Sequence, residues 1–135
     1  MPLFTGLGKF TNFGLLVVRI GIGIMMMVHG IPKIEGGPEL WTKVGSSITH
    51  LGIHEFFAFW GFMASISEGV GGLLVLLGMA FRPACIFLFF TMLMASITHI
   101  KNGDELAVAS HAIELCFLFF GLFIIGPGRF SVDKS

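Results

Sequence analysis

Four long apolar stretches constrain this chain more than any other feature of its sequence. They cover about residues 13–31, 56–78, 83–100 and 109–126. A helix that crosses the hydrocarbon core of a bilayer needs roughly 20 mostly apolar residues at 1.5 Å rise each, and all four stretches meet that requirement. The sequence therefore predicts an all-α, polytopic membrane protein whose four transmembrane helices form an up-down bundle. We treat residues 1–135 as one membrane domain.

Composition excludes the soluble alternatives. Of the 135 residues, 55% are apolar and only 12% are charged, whereas about 25% is usual for a soluble domain. So few charges cannot cover a water-soluble surface of this size. The charges also balance, with eight basic and eight acidic side chains, and nucleic-acid binding needs a basic surface. The predicted partner is thus the lipid bilayer and not a nucleic acid.

The longest connection, between the first and second spans, has a helical pattern of its own. Between about residues 38 and 51 its apolar side chains recur at helical spacing, and the polar side chains take the other positions. This pattern predicts a short amphipathic helix at the membrane surface, with Trp41 at headgroup depth. Four Lys and Arg residues on the side of both termini, against three on the other side, predict cytoplasmic termini by the positive-inside rule.

Ionisable side chains within the apolar stretches are functional candidates, because a charge inside hydrocarbon costs several kcal/mol. They are Arg19, His29, Glu68, His99, His111 and Glu114, with Lys33 just beyond the end of the first span. The three histidines and Glu114 fall within about 10 Å of the same, outer end of the bundle. Arg19 and Glu68 lie deeper, and we expect them to form a buried ion pair or a proton path.

Three interpretations of these residues stay open. In one, they only pair with each other and fix the packing of a non-catalytic scaffold or assembly protein. In another, His29, Lys33, His99, His111 and Glu114 bind the head group of a quinone or a similar lipid-soluble ligand. A neutral histidine can donate to a quinone oxygen, and a carboxylate can take the proton released when a quinol is oxidised.

The remaining interpretation is a metal ion or haem held by His29, His99 and His111, since imidazole suits iron, copper and zinc. Di-metal helical bundles use Glu-x-x-His from each of two helices. This chain has a single His-x-x-Glu, in the reverse order, at His111 and Glu114. No metal is favoured for that reason, and no catalytic residue is assigned.

Several motifs resemble those of the DoxX family of small membrane proteins. Arg19 followed by His29-Gly30 and Lys33 is similar to the R…HG..K pattern of that family. Further similar motifs are Glu68-x2-Gly71-Gly72, His99-x-Lys101-Asn102-Gly103, Ser110-His111-Ala112-Ile113-Glu114-Leu115 and Gly126-Pro127-Gly128-Arg129-Phe130-Ser131-Val132-Asp133. The resemblance covers roughly residues 13–133.

The resemblance implies four transmembrane helices in a bacterial inner membrane. Some relatives are subunits of a thiosulfate:quinone oxidoreductase, others belong to membrane oxidoreductase assemblies, and distant eukaryotic relatives act as chaperones or cargo receptors. We therefore expect a redox-associated membrane subunit with a soluble or membrane oxidoreductase partner. Whether the chain is an enzyme stays open. If it is one, it is a quinone-linked oxidoreductase subunit, and a homo-oligomer is also open.

Overall fold

The computed structural model describes residues 3–134, and its helices confirm the predicted fold class. Four helices are long and apolar enough to cross a membrane, and a short helix lies between the first and second of them. The elements are a 3-10 helix (Thr5–Phe10), α1 (Thr11–Glu35), α2 (Gly37–Gly45), a second 3-10 helix (Ser46–Leu51), α3 (Phe57–Leu77), α4 (Phe81–Lys101) and α5 (Leu106–Ile125).

The long helices pack in a row rather than in a closed ring. α1 packs against α3, α3 against α4, and α4 against α5, while α2 folds back onto α3. Within residues 3–134, no Cα atom of α1 lies within 8 Å of a Cα atom of α5. Most of the fully buried core side chains, among them Val75, Phe81, Leu88 and Phe119, come from α3, α4 and α5, and α1 adds Met26. The bundle therefore has an open seam between α1 and α5.

Glycines allow α1 and α3 to approach each other closely. A Cβ atom added to Gly23 would lie 2.7 Å from the carbonyl oxygen of Gly72, and one added to Gly72 would lie 2.8 Å from that of Gly23. Nearer the α2 end, a Cβ on Gly30 would meet the backbone of Glu68 and Gly69. Such small residues let two transmembrane backbones touch. The α1–α3 contact thus fixes the position of Glu68 along the axis of α1, beside Gly30.

The first span is longer than the sequence predicted. α1 continues through Pro32 to Glu35, four residues past the expected end at Ile31. Lys33 consequently lies on the helix, one turn after His29, and not in a loop. Residues four apart share a face of an α-helix. The extension therefore brings the Lys33 ammonium to the same side of α1 as the His29 ring.

The C-terminal segment, residues 126–134, closes the end of the bundle that holds both termini. The N–H of Val132 donates to the carbonyl of Leu77 (3.1 Å), and the N–H of Asp133 donates to that of Gly78 (2.9 Å). The Asp133 carboxylate accepts from the N–H groups of Ala80 (3.1 Å) and Phe81 (2.8 Å). These N–H groups begin α4 and have no partner within their own helix. The segment thus caps α4 and fastens the turn between α3 and α4.

Candidate functional site

A cavity near the α2 end of the bundle gathers most of the ionisable side chains that the sequence singled out. We call it the polar pocket. It has a volume of about 150 Å³, and all four long helices contribute to it. Its ionisable lining residues are His29, Lys33, Glu68, His99 and His111. Met26 and Met92 add apolar wall, so the cavity combines a polar rim with an apolar interior.

Lys33 and Glu68 form an ion pair at the wall of the polar pocket. The Lys33 ammonium lies 2.9 Å and 3.2 Å from the two carboxylate oxygens of Glu68. Glu68 is only 5% exposed, so its carboxylate has little access to water. A buried charge needs a partner of opposite sign or a metal. Lys33 therefore provides the compensation that keeps Glu68 inside the bundle.

Arg19 lies at the opposite, termini end and is bonded to the backbone. It is 1% exposed. Its guanidinium donates to four carbonyls, those of Val75 (3.1 Å), Leu76 (2.8 Å), Pro127 (3.2 Å) and Phe130 (2.7 Å). A planar fork of five donors is suited to several acceptors at once. Arg19 thereby joins α1 to the end of α3 and to the C-terminal segment.

The structure does not bring Arg19 and Glu68 together, contrary to the expected ion pair. Arg19 meets α3 at Val75 and Leu76, and Glu68 lies seven residues before Val75 on the same helix. Seven residues correspond to about 10 Å along a helix axis, which is too far for an ion pair. Arg19 is satisfied by backbone carbonyls, and Glu68 is satisfied by Lys33. The proton path, which was the alternative role for these two residues, stays a prediction.

His99 pairs with an acid that the sequence analysis did not single out. Its Nδ1 atom lies 2.8 Å from Oδ2 of Asp104. α4 ends at Lys101, and the following turn brings the chain back so that the N–H of Asp104 donates to the carbonyl of His99 (3.0 Å). The turn sequence Asn102-Gly103 after a helical histidine is the feature that could have predicted this pair.

His29 and His111 face each other across the seam between α1 and α5. Their ring centroids are 5.5 Å apart, and the ring planes are inclined by 56°. Both histidines are exposed in the isolated chain and both line the polar pocket. The two rings therefore form the side of the pocket that faces outward between the first and last spans.

Glu114 is not among the residues that line the polar pocket. It is exposed, although it lies only three residues after His111. The α5 residues that do line the cavity are Val108, His111, Ala112 and Leu115. One residue turns an α-helix by about 100°, so Glu114 falls on the other side of His111 from these three neighbours. Sharing a face with His111 was thus not sufficient to reach the cavity.

α2 holds the end of α1 against α3. The indole N–H of Trp41 donates to the carbonyl of Lys33 (2.9 Å), and the Trp41 ring packs on Phe62 with 4.7 Å between centroids. A Cβ on Gly61 would meet the backbone of Trp41, and one on Gly45 would meet that of Phe57. α2 therefore supports the backbone of Lys33 directly.

A family comparison matches this architecture. The DoxX family profile matches residues 14–101, which is well over half of the chain. The chain belongs to the DoxX family. The matched range contains Arg19, His29, Lys33, Glu68 and His99. It ends before α5 and the C-terminal segment, so the profile does not include His111.

Two relatives extend the comparison. The inner membrane protein YphA of Escherichia coli (strain K12) is 28% identical over 93% of this chain and 96% of its own length. A Bacillus subtilis (strain 168) protein bearing the name "Putative oxidoreductase CatD" is 30% identical over 68% of this chain and 63% of its own length. No solved structure matches. This DoxX-family chain is therefore a multi-pass membrane protein.

The donor geometry gives no support to the metal alternative. Among residues 3–134, no group of three or more His, Cys, Asp or Glu side chains is arranged to hold a metal ion. His29 and His111 are neighbours, but the Nδ1 atom of His99 is engaged by the Asp104 carboxylate. What this DoxX chain does offer is a small cavity with hydrogen-bonding and proton-accepting groups on its rim.

Proposed function

We propose that this DoxX-family chain is a redox-associated membrane subunit that binds the head group of a quinone or quinol in the polar pocket. One observation carries the proposal. A single cavity is lined by His29, His99, His111 and the Lys33–Glu68 ion pair, and it adjoins a seam between two spans. The name of the Bacillus subtilis relative lends support to a redox role, and nothing beyond that name is taken from it.

The size of the polar pocket selects a single ring. Its volume of about 150 Å³ is that of an engineered cavity known to hold one benzene molecule. Sites for whole drug-sized ligands are larger, at roughly 300–1,000 Å³. A quinone head group can therefore occupy the cavity while its isoprenoid tail stays outside. The seam between α1 and α5, beside His29 and His111, is the route by which the tail leaves into lipid.

The Asp104 contact sets the role of His99. An ionised carboxylate only accepts hydrogen bonds, so the Nδ1 atom of His99 carries the proton of that pair. In the neutral ring Nε2 is then an acceptor, suited to a quinol hydroxyl. Oxidation of a quinol to a quinone releases two electrons and two protons. We assign the first proton to His99 Nε2 and the second to the Glu68 carboxylate, and the electrons to an oxidoreductase partner.

The setting of this chemistry is also part of the proposal. YphA of Escherichia coli, which matches this chain over 96% of its own length, bears the name of an inner membrane protein. We place this chain in a bacterial inner membrane with both termini in the cytoplasm. The polar pocket then lies in the outer leaflet, and protons are released on that side. The oxidoreductase partner is a soluble or membrane protein, and a homo-oligomer remains compatible with every contact described above.

Quinone binding can be tested on the purified full-length protein. The measurements are the quinone extracted per mole of protein and the thermal stabilisation by a short-chain quinone. We expect wild type to bind, and His99→Ala and His111→Ala to bind at least about tenfold more weakly, which corresponds to 1.4 kcal/mol for a lost hydrogen bond. His54→Ala is the matched control, because His54 is a histidine outside the pocket.

Equal binding by wild type and both pocket variants would contradict the proposal. A loss of binding in His54→Ala of the same size would show that the effect does not come from the pocket. Unfolding of a variant would be detected as loss of its cooperative melting transition. His99→Gln, which keeps a polar group of similar length, then replaces His99→Ala in the comparison.

A second candidate function is a non-catalytic scaffold. The observation in its favour is that the Lys33–Glu68 and His99–Asp104 pairs are complete without any ligand. In that case the pocket variants would lower the melting temperature equally with and without quinone. A ligand-dependent difference between wild type and His99→Ala supports the quinone proposal and excludes the scaffold as the sole function.

A further inference from the structure

The termini end of the bundle has a second and larger cavity, formed where the 3-10 helix before α1 meets the C-terminal segment. Its volume is about 690 Å³. We call it the basic groove. Its lining combines apolar side chains with two cations, and consists of Leu7, Lys9, Phe10, Asn12, Phe13, Arg129 and Phe130. None of these residues belongs to the polar pocket at the other end.

The charge of the basic groove is entirely positive among the described residues that line it. Lys9 and Arg129 are its two charged residues, and no carboxylate lines it. The nearest acid along the C-terminal segment, Asp133, is occupied by the N–H groups of Ala80 and Phe81. Lys9 lies over the Phe10 ring, with 5.1 Å between the ammonium and the ring centroid. The groove is therefore complementary to an anion.

The wall of the basic groove is held in place by hydrogen bonds. The N–H of Arg129 donates to Oδ1 of Asn12 (2.9 Å), which joins the C-terminal segment to the start of α1. The carbonyl of Phe130 accepts from the buried Arg19 at 2.7 Å. Asn12 of α1 thus fixes the backbone N–H of Arg129, and the buried Arg19 fixes the next carbonyl, that of Phe130. A groove of this kind needs little reorganisation to bind a ligand.

The apolar part of the basic groove indicates what kind of anion it takes. Leu7, Phe10, Phe13 and Phe130 are each at least half exposed, and Phe13 lies within the first turn of a membrane-spanning helix. Apolar and basic side chains side by side are typical of the headgroup region. A small soluble anion would leave the apolar surface uncovered, whereas a phospholipid would cover it with acyl chain.

We propose that the basic groove is a binding site for an anionic phospholipid, with the phosphate between Lys9 and Arg129 and an acyl chain against Phe13 and Phe130. Phosphatidylglycerol is the probe, and phosphatidylcholine with the same acyl chains is the zwitterionic comparison. Each basic residue near an anionic headgroup is worth roughly a fivefold change in affinity. The site is independent of the proposed quinone function.

The experiment is native mass spectrometry of the full-length protein in detergent, titrated with each lipid. We expect wild type to bind phosphatidylglycerol more tightly than phosphatidylcholine. Lys9→Gln and Arg129→Gln should each weaken the binding by roughly fivefold, and the double variant by more than tenfold. Lys101→Gln, which removes an exposed cation from the opposite end of the bundle, should stay within about twofold of wild type.

The proposal is overturned by equal affinity of wild type for both lipids, by unchanged phosphatidylglycerol binding of the double variant, or by an equal loss in Lys101→Gln. A lipid adduct found only on dimers would place the lipid between two copies and would also overturn it. If the double variant fails to fold, the salt dependence of lipid binding by wild type is the test instead. Added salt should weaken its binding of phosphatidylglycerol and not of phosphatidylcholine, and the absence of that difference contradicts the proposal.

Discussion

α1 carries two cations about four turns apart, and the structure uses them in opposite ways. Arg19, at the termini end, is buried and donates to four backbone carbonyls. Lys33, at the α2 end, pairs with the Glu68 carboxylate at the wall of a cavity. The first cation fastens three parts of the backbone, and the second faces a space that a ligand can enter. An ionisable residue inside a membrane bundle is therefore not by itself evidence of a functional site.

The two ends differ in how much hydrogen-bonding capacity remains free for a ligand. The carbonyl partners of Arg19 belong to the backbone and cannot leave without moving a helix end or the C-terminal segment. The side-chain partners at the polar pocket can rotate, and His99 retains a second ring nitrogen beyond its Asp104 contact. Groups with remaining hydrogen-bonding capacity beside a cavity are candidates for ligand binding. By this criterion Arg19 has a structural role, and the groups at the polar pocket are the candidates for ligand binding.

The largest effect should come from removing the tie at the termini end. Arg19→Met leaves four carbonyls without the guanidinium, and hydrogen bonds to a charged group are worth about 1.5–3 kcal/mol each. We expect a loss of at least about 3 kcal/mol in the free energy of unfolding, measured by denaturation in detergent. Arg19→Lys should fall between wild type and Arg19→Met, because one ammonium has three donors and lacks the planar fork.

Wild-type stability of Arg19→Met would contradict the structural role of the termini end. A further check uses the polar pocket itself. Because Arg19 does not contact the pocket, a folded Arg19→Lys protein should bind quinone as wild type does. Loss of quinone binding in that variant, with its fold intact, would show that the two ends are coupled and that the distinction between them fails.

The next largest effect concerns the contact that positions Glu68. Gly30→Ala places a methyl group against the backbone of Glu68 and Gly69, so α1 and α3 must separate, at a cost of about 1–3 kcal/mol. The shift should also weaken the Lys33–Glu68 pair. Gly21→Ala is the matched control on the same helix, because nothing lies within 4 Å of its added Cβ. Equal melting temperatures for the two variants would contradict the close α1–α3 contact.

A moderate effect is expected from the ion pair itself. Glu68→Gln and Lys33→Met, alone and together, form a double-mutant cycle on the free energy of unfolding. We expect a coupling of about 1 kcal/mol, because the Lys33 side chain is 36% exposed and that of Glu68 only 6%. Coupling near zero would show that the pair is not formed in the membrane protein. Quinone binding by Glu68→Gln should fall even where its stability is retained.

The sequence was sufficient to predict four long apolar helices and a short helix between the first two, because hydrophobic length and periodicity are local properties. It also predicts similar depths for His29, His99 and His111, since the rise of a helix fixes the depth of each residue, and the three line one cavity. It failed where the partner depends on tertiary contact. The sequence offers Glu68 as the partner of Arg19 because the two charges are opposite, and no sequence pattern indicates that backbone carbonyls of α3 and the C-terminal segment are the acceptors. Asp104 was missed because it lies beyond the apolar stretch.

A smaller effect is expected at the cap of α4. Asp133 accepts from the N–H groups of Ala80 and Phe81, and loss of a helix cap costs about 1 kcal/mol. Asp133→Ala should therefore lower the free energy of unfolding by about 1 kcal/mol, whereas Asp133→Asn, which keeps one acceptor oxygen in place of two, should lose about half as much. An equal loss in both variants would show that the one acceptor left in Asn contributes nothing and that the negative charge stabilises the helix end.

The smallest effect, at Glu114, tests the polar pocket most directly. Glu114 and His111 are three residues apart on α5, but only His111 lines the cavity. Glu114→Gln should therefore leave quinone binding within about twofold of wild type, whereas His111→Ala should weaken it about tenfold. If Glu114→Gln weakens binding as much as His111→Ala, the ligand does not occupy the polar pocket. It would then lie on the outer face of α5, where the exposed carboxylate is, and the seam would be its binding surface and not its route of entry.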